Sequence, residues 1–344
     1  MKCIKTTEAV GHVLCHDITR IVKDVVKDTA FRKGHIVEEK DIPVLLSLGK
    51  DNLYVWEKDD TKWHENEAAE ILYDICAGAN MHPSDIKEGK IELIADIDGV
   101  LKIRRDALVA VNSLGEMMIA SRHGDFPVKV GDKLAGTRII PLVIEKEKME
   151  RAREVGGTEP IFEILPYKKK KYGIVTTGSE VFKGRIKDTF SPVIREKLAE
   201  FPSEEIDQIY VDDEKEHILE AIKKQIAAGA ELIICTGGMS VDPDDCTPWA
   251  IMSTGARVVS YGAPVLPGAM MLVSYYKNEA DGRIIPILGL PGCVMYAKRT
   301  IFDLVLPRVM ADDEITAEDI AKLGEGGLCL NCGVCTFPNC GFGK

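Results

Sequence analysis

The residues best suited to chemistry lie in one loop that follows an apolar run. From Ile233 the chain reads I-I-C-T-G-G-M-S-V-D-P-D-D-C-T-P. Glycines let the backbone approach a ligand and turn its N–H groups toward an anion, and hydroxyl groups add further donors. Three aspartates share this loop. We expect Asp242 and Asp244 to be solvated loop acids.

Two further loops have the same character. T-T-G-S-E-V begins at Thr176 and G-L-P-G-C begins at Gly289, and each follows an apolar, strand-like run. Three such loops at successive strand ends predict a site for a small molecule that carries a phosphate. The sequence contains no G-x-x-x-x-G-K-[ST] stretch, which excludes a P-loop, and no G-x-G-x-x-G opens a predicted helix.

The elements around these loops alternate between strand and helix. Helical spacing covers 192–201 and 214–228, and strand-like runs include I-D-Q-I-Y-V, R-V-V-S-Y, M-M-L-V-S-Y and R-I-I-P-I-L. Alternation of this kind predicts an α/β fold, with a mainly parallel three-layer sheet covered by helices on both faces. Ligands of such sheets bind where loops leave the carboxyl ends of the strands.

The N-terminal half is organised differently. Short apolar runs cut by glycine turns predict a smaller β-rich region, with one connecting helix near residues 61–78 and a charged helix at 146–153. The basic run 168–171 marks the main boundary, and we interpret its four lysines as a solvated joint. The predicted domains are a β-rich unit 1–60, a connecting helix plus β-rich domain 61–167, the α/β domain 168–312, and a flexible tail 313–344.

Composition excludes several classes of partner. The chain has 344 residues, is 45% hydrophobic, and carries a net charge of −11. That charge argues against nucleic acid and anionic membrane surfaces, because both attract a basic face. No window resembles a membrane helix, and the first ten residues lack the apolar core of a signal peptide. We therefore expect a cytoplasmic protein.

Four of the ten cysteines crowd the C-terminal segment. Cys329, Cys332, Cys335 and Cys340 form the spacing C-x2-C-x2-C-x4-C, which differs by one residue from a bacterial ferredoxin run. The spacing predicts a metal, either a [4Fe–4S] cluster or Zn²⁺. The two tight gaps favour the cluster, because structural zinc more often uses two separated C-x2-C pairs. The alternative is a reactive thiol tail without metal.

The segment from about residue 171 to 310 resembles a known family. T-T-G-S-E-V, G-R-I-K-D-T, V-D-D-E, C-T-G-G-M-S-V-D-P-D-D-C-T-P, A-P-V-L-P-G-A and L-G-L-P-G-C occur in the order typical of the molybdopterin-binding fold. That fold is shared by molybdopterin adenylyltransferases, molybdopterin molybdotransferases and the deamidase relatives of competence-induced proteins. The resemblance implies that molybdopterin is the ligand.

The resemblance also implies roles for individual residues. In the family, the loop matched by Gly237 and Gly238 cradles the terminal phosphate of the pterin. The residues matched to ligand-binding positions are Thr177, Gly178, Ser179, Asp188, Gly237, Gly238, Ser240, Thr247, Pro291 and Gly292.

Two aspartates are the implied catalytic residues. Asp245 belongs to the family's D-x-T element, and Asp213 in V-D-D-E matches a second aspartate across the same pocket. Such a carboxylate pair can hold Mg²⁺ against the phosphates of the pterin and of ATP. The alternative for Asp213 is a cap at the start of the following helix. Ser179 stands where the family usually has an acid, so substrate contacts there are altered.

Two functions from different classes remain open. The first is an enzyme of molybdenum cofactor biosynthesis that adenylylates molybdopterin or inserts metal into it. The second is a non-catalytic carrier or sensor of molybdopterin, with an iron–sulfur tail. The segment that molybdotransferases use for catalysis is absent from the N-terminal half, and nothing in residues 1–168 resembles a deamidase domain. Expected partners are other cofactor-biosynthesis proteins or a molybdoenzyme, and related domains imply a homo-oligomer.

Overall fold

The computed structural model describes residues 2–22, 26–55, 59–240, 242 and 245–344. Its backbone contacts define two compact units. The first comprises 1–97, 102–122 and 129–164, and the second comprises 98–101, 123–128 and 165–344. The change of unit at 164/165 lies close to the boundary predicted near 168. The N-terminal half differs from the prediction, since 1–60 and 61–167 do not form separate units and two short segments of this half belong to the second unit.

The first half of the chain is rich in short antiparallel strands, as predicted. Strands β1 and β4 pair with each other, as do β2 and β3, while β6, β7, β11 and β9 form a four-stranded sheet. In chain order the elements are β1 (Lys2–Lys5), β2 (Ile18–Val22), β3 (Val26–Phe31), α1 (Asp41–Ser47), β4 (Asn52–Val55), β5 (Lys62–His64), α2 (Glu65–Cys76), β6 (Met81–Pro83), β7 (Lys90–Ala95), β8 (Gly99–Ile103), α3 (Arg105–Asn112), β9 (Met117–Ser121), β10 (Phe126–Val128), β11 (Lys133–Ile139), β12 (Val143–Glu145), α4 (Lys146–Gly156) and β13 (Phe162–Pro166).

The second unit is built on a six-stranded sheet. Its order is β15-β14-β16-β19-β18-β17. The first four strands are parallel to one another, whereas β18 is antiparallel to β19, and β17 is antiparallel to β18. The elements are β14 (Lys170–Thr177), α5 (Ser179–Phe182), α6 (Phe190–Leu198), β15 (Ser203–Val211), α7 (Lys215–Ala227), β16 (Leu232–Thr236), α8 (Thr247–Ser253), β17 (Arg257–Tyr261), β18 (Leu272–Lys277), β19 (Ile284–Leu290), α9 (Ile301–Met310) and α10 (Ala317–Lys322).

Both faces of this sheet are buried, which confirms the three-layer α/β prediction. Every residue of β16 is buried, as expected of a central parallel strand. Successive side chains of a strand point to opposite faces, so Ile234 joins the core beneath α6 and α9, whereas Ile233 and Cys235 join the core beneath α7 and α8. The helices predicted at 192–201 and 214–228 are α6 and α7, shifted by a few residues.

The C-terminal segment is packed, in contrast to the flexible tail predicted for 313–344. Ile315, Ile320 and Phe342 are almost fully buried and belong to the same core as α9. Helix α10 begins at a capping box in which Thr316 and Asp319 satisfy each other's backbone N–H groups. The glycines near residue 325 suggested flexibility, but the buried side chain of Phe342 anchors the end of the segment. Among the described residues no helix is both long and apolar enough to cross a membrane.

This packing predicts a measurable stability effect. Phe342→Ala should lower the free energy of unfolding by about 3–5 kcal/mol, because it leaves a cavity in the core of the second unit. Val334→Ala, at a side chain that is 80% exposed in the same segment, should change it by less than about 0.5 kcal/mol. Urea unfolding followed by circular dichroism measures both. Equal stability of the two variants would show that the segment is not anchored.

Candidate functional site

The three glycine loops emerge side by side from neighbouring strands. Strand β14 ends at Thr177, β16 at Thr236 and β19 at Leu290, and these strands are adjacent in the sheet. The register places Thr236 opposite Thr176 on one side and opposite Leu290 on the other. Because the strands are parallel, all three loops leave at one edge, as the sequence predicted.

Buried hydroxyl groups lock the first two loops together. The hydroxyl of Thr247 donates to the carbonyl of Gly237 at 2.8 Å and lies 3.2 Å from the hydroxyl oxygen of Thr177. Both threonine side chains are buried. These two residues were predicted to bind the cofactor, and in the structure their hydroxyl groups join the loops on which a ligand would rest.

The glycines of the second loop are required by this same contact. Gly237 has φ +83°, and a Cβ there would lie 2.4 Å from the carbonyl oxygen of Thr177. Gly238 has φ +54°, and its Cβ would lie 2.9 Å from the hydroxyl oxygen of Thr247. The sequence analysis explained these glycines by the close approach of a ligand to the backbone. In the structure, the backbone of the neighbouring loop makes that close approach. By contrast, a Cβ at Gly178 or at Gly292 would meet open space, so these two positions leave room for a ligand.

The two candidate catalytic aspartates each hold a loop N–H group. The carboxylate of Asp213 accepts from the backbone N–H of Ser179 at 2.8 Å, and that of Asp245 accepts from the N–H of Ser240 at 2.9 Å. Asp213 does not cap helix α7, whose N-cap residue is Glu214 and has no side-chain capping bond. In both carboxylates the bond uses Oδ2, and within the described residues no hydrogen bond engages Oδ1.

The remaining residues of the aspartate loop are described only in part. Asp242 is exposed, and its backbone carbonyl accepts from the N–H of Asp245 at 2.9 Å. Asp244 lies outside the described residues. Tyr261, from strand β17, donates its hydroxyl to the carbonyl of Met239 at 3.2 Å and thereby holds the loop from the other side.

Asp188 is the centre of a polar network at the start of helix α6. Its Oδ1 accepts from the N–H groups of Phe190 and Ser191, and its Oδ2 accepts from Gln208 at 2.8 Å and from the Tyr210 hydroxyl at 3.2 Å. Burial alone would raise the pKa of Asp188, but the hydrogen bonds from Ser191, Gln208 and Phe190 outweigh it and lower the pKa.

Gln208 was missed by the sequence analysis. Its side-chain amide also reaches the hydroxyls of Thr176 at 2.8 Å and Ser191 at 2.7 Å. The available signal was the alternation of polar residues in I-D-Q-I-Y-V, which places Gln208 and Tyr210 on the same face of strand β15. The residue thus couples the first loop to the element around Asp188.

Two of the scattered cysteines are buried core residues. Burial raises the pKa of Cys235, in the middle of the sheet, to about 12. It raises the pKa of Cys76, in helix α2, to about 12 as well. Neither thiol is therefore a thiolate at neutral pH, which agrees with their interpretation as small core residues.

The four C-terminal cysteines line a single cavity of about 530 Å³ in the second unit. Cys332 and Cys335 are exposed, and Cys329 and Cys340 are partly buried. The thiols surround the cavity without converging, since the described part of the chain contains no group of three or more His, Cys, Asp or Glu side chains arranged to hold a metal.

Comparison with known protein families gives a match within the second unit. Residues 173–326 match the family described as a probable molybdopterin binding domain. The resemblance read from the loops is therefore confirmed for this segment. Residues 3–57 match a domain of unknown function. The segment that matches this family is thus preceded by a region that matches a different one.

Individual relatives cover the chain unevenly. A molybdopterin adenylyltransferase of Pyrococcus furiosus is 26% identical over 137 residues, which are 37% of this chain and 80% of that protein. A molybdopterin molybdenumtransferase of Synechococcus elongatus is 24% identical over 164 residues, but these are 45% of this chain and 38% of that protein. The structure of the molybdopterin biosynthesis enzyme MoaB of Thermus thermophilus is 25% identical, covers 40% of this chain and 91% of its own, and superimposes with a TM-score of 0.35.

The glycine geometry yields a direct test. Gly237→Ala and Gly255→Ala both place alanine at positive φ, but only Gly237 has a carbonyl in the path of the new Cβ. Gly255→Ala should cost about 1–2 kcal/mol of unfolding free energy, from backbone strain alone. Gly237→Ala should cost about 1–3 kcal/mol more, from the clash with Thr177. Equal losses in urea unfolding would show that the loops are not in close contact.

The Asp188 network yields a pH dependence. Because the folded-state pKa of Asp188 is lowered, its ionised carboxylate stabilises the fold above the unfolded pKa of about 4, and this contribution is lost as the pH falls through the lower folded value. Asp188→Asn should therefore be less stable than the parent at pH 7, and the difference should shrink in acid. Glu279→Gln, at an exposed turn, serves as the control in a urea series. A gap that does not change with pH would mean that Asp188 acts through packing alone.

Proposed function

We propose that this chain binds molybdopterin at the three loops and acts in molybdenum cofactor biosynthesis, by Mg-dependent adenylyl transfer to molybdopterin. One arrangement carries the proposal. The loops after β14, β16 and β19 leave the same edge of the sheet, and two carboxylates, Asp213 and Asp245, are fixed at them by backbone N–H groups.

The proposed reaction joins two phosphates. A terminal phosphate oxygen of molybdopterin attacks the α-phosphorus of ATP, a new P–O bond forms, and the bond to pyrophosphate breaks so that pyrophosphate leaves with the electron pair. Negative charge gathers at this centre. Asp213 and Asp245 would hold Mg²⁺, whose charge would neutralise the charge that develops there.

The donor set suits Mg²⁺. Carboxylate oxygens are ligands that Mg²⁺ prefers. In both Asp213 and Asp245, Oδ2 fixes the direction of the side chain, while no hydrogen bond from a described residue engages Oδ1. Gly178 and Gly292 leave open space where a pterin phosphate can approach the backbone. The buried threonine pair keeps the first two loops at a constant separation, so the phosphate and the metal meet a preformed surface.

Coverage of the relatives favours adenylyl transfer over metal insertion. The matched segment spans 80% of the adenylyltransferase of Pyrococcus furiosus and 38% of the molybdenumtransferase of Synechococcus elongatus. The match therefore takes in most of a relative named for the first activity, and less than half of one named for the second. Metal insertion stays the second enzymatic candidate, since residues outside that segment contribute to the larger relative.

A non-catalytic carrier or sensor is the alternative function. It is favoured by Ser179, which replaces the acid usual in the family and uses its N–H to bond Asp213. In this case the loops bind molybdopterin, the N-terminal unit binds another cofactor-biosynthesis protein or a molybdoenzyme, and the four-cysteine segment carries a [4Fe–4S] cluster or Zn²⁺. A homo-oligomer fits either function, and sedimentation velocity of the full chain tests it.

Asp245→Asn separates the two functions. The asparagine oxygen can still accept from the N–H of Ser240, so the loop is kept while the negative charge is removed. We expect the rate of adenylylation, measured by chromatography of molybdopterin incubated with MgATP, to fall about 100-fold or more. Binding of molybdopterin without ATP, measured by its fluorescence, should change little.

Asp242→Asn is the matched control, because it removes an exposed carboxylate from the same loop. It should retain activity. Tight molybdopterin binding by the unaltered chain with no adenylylated product would establish the carrier instead. An equal loss in both variants would show that the loop responds to charge in general and not to Asp245.

A further inference from the structure

The cavity lined by the C-terminal cysteines is separate from the proposed molybdopterin loops. None of the loop residues assigned to molybdopterin lines it. Its walls come from the segment before helix α9, which includes Tyr296 and Arg299, and from residues of the C-terminal segment such as Leu328, Leu330 and Phe337. The cavity is thus a second site on the same unit, and the molybdopterin chemistry does not explain it.

The cysteine segment is closed at its base by backbone hydrogen bonds. The N–H of Gly343 donates to the carbonyl of Gly326 at 2.9 Å, which joins the two ends of the loop. At the N-terminal end of the loop, the N–H of Cys329 donates to the carbonyl of Leu266 at 2.8 Å. At its C-terminal end, Phe342 is buried in the core. The first and last cysteines are therefore held close to fixed points of the domain.

Between these anchors the backbone has no regular secondary structure. Residues 330–335 form neither helix nor strand in the structure. Asn331 has φ +50°, in the left-handed region, and Cys329 and Cys332 on either side of it both line the cavity. The thiols surround the cavity instead of meeting, and a loop without regular hydrogen bonding can contract around a bound group at low cost.

Cationic side chains stand at the same cavity. Lys298 donates to the carbonyl of Gly333 at 2.9 Å, which ties its ammonium group to the cysteine loop. Arg299 lies 4.9 Å from the centre of the Phe337 ring, and it lines the same cavity as Cys335. Four thiolates around a metal centre carry net negative charge, which these cations offset.

A buried ion pair keeps the arginine in place. Asp303, whose side chain is 4% exposed, accepts from Arg299 at 2.8 Å and from Lys197 at 2.6 Å. One carboxylate is thus shared by two cations, and it fixes Arg299 at the wall of the cavity. A positive surrounding that is fixed by core contacts is typical of sites that bind an anionic group.

We propose that Cys329, Cys332, Cys335 and Cys340 bind a [4Fe–4S] cluster in this cavity. The spacing C-x2-C-x2-C-x4-C, with its two tight gaps, suits a cluster whose four irons take one thiolate each. Structural zinc more often uses two separated C-x2-C pairs. The exposed positions of Cys332 and Cys335 place one edge of the cluster at the surface. The inference stands independently of molybdopterin binding.

The test is reconstitution of the full chain with Fe²⁺ and sulfide under anaerobic conditions. We expect absorption at roughly 400 nm and about four irons and four sulfides per chain. The double variant Cys332→Ala, Cys335→Ala should lose both signals, because two ligands are gone. Cys3→Ala removes an exposed thiol from the other unit and should retain them. Circular dichroism of the apo-proteins confirms that the variants are folded.

Other outcomes would overturn the proposal. One zinc per chain without iron, in protein purified anaerobically from iron-supplied cells, would make this a structural zinc site. Binding of neither metal, or iron that persists in the double variant, would also refute it. Because no readout involves molybdopterin or ATP, failure here is distinguishable from failure of the adenylyl-transfer proposal.

The role of Lys298 has a separate readout. Lys298→Gln removes a positive charge beside the cluster, and the reduced, more negative cluster loses more from this than the oxidised one. The reduction potential, measured by titration with dithionite and optical detection, should move to a more negative value. Lys277→Gln, an exposed lysine that does not line the cavity, should leave it unchanged. An unchanged potential in Lys298→Gln would show that the cluster does not sit against this cation.

Discussion

The close contact between the ends of β14 and β16 is the constraint on which the candidate site depends. Neighbouring strands run side by side at a fixed spacing, but loops that leave them ordinarily diverge. Here Gly237 lies against the carbonyl of Thr177, and the hydroxyl of Thr247 joins both loops. A side chain at either glycine of the second loop would force them apart. The positions of Ser240 and Asp245 follow, because both belong to the loop held by this contact.

The internal hydrogen bonds change how an anion can bind. The backbone N–H groups of the loops were expected to turn toward an anion, yet those of Ser179 and Ser240 each donate to an aspartate. A phosphate that arrives at these loops therefore meets two carboxylates, in a chain whose net charge is −11. Under the proposed function, the two carboxylates would hold a divalent cation, whose charge would remove that repulsion. The same carboxylates that oppose a bare anion thus favour an anion that arrives with its metal, which supports a Mg-dependent ligand.

The sequence predicted the elements of the second unit well, because their patterns are local. The continuous apolar run of β16 and the helical spacing of α7 each depend on neighbours within a few positions. The order of glycine loops then placed them at the carboxyl ends of adjacent strands. The identity of the ligand class came from the same order of loops, and it agrees with the family matched by residues 173–326.

What the sequence could not give depends on contacts between distant residues. Thr177 and Thr247 are 70 positions apart, and no local pattern indicates that their hydroxyls meet. Gln208 looks like an ordinary strand residue until the fold brings Asp188 to it. The C-terminal segment was predicted to be flexible from its glycines, yet one aromatic residue, Phe342, fixes its end in a core formed far upstream.

The anchoring of that segment bears on its chemistry as well as its stability. If the four thiols stood on a disordered tail, the whole tail would lose conformational entropy when they bound a metal. Here the ends of the cysteine loop are already joined by the bond between Gly343 and Gly326, so only the intervening residues need to be ordered further. The entropy lost on binding is correspondingly smaller, and the loop closes beside Arg299, whose position the buried Asp303 determines. The packing of the domain core thus holds in place both the ends of the cysteine loop and the guanidinium group of Arg299.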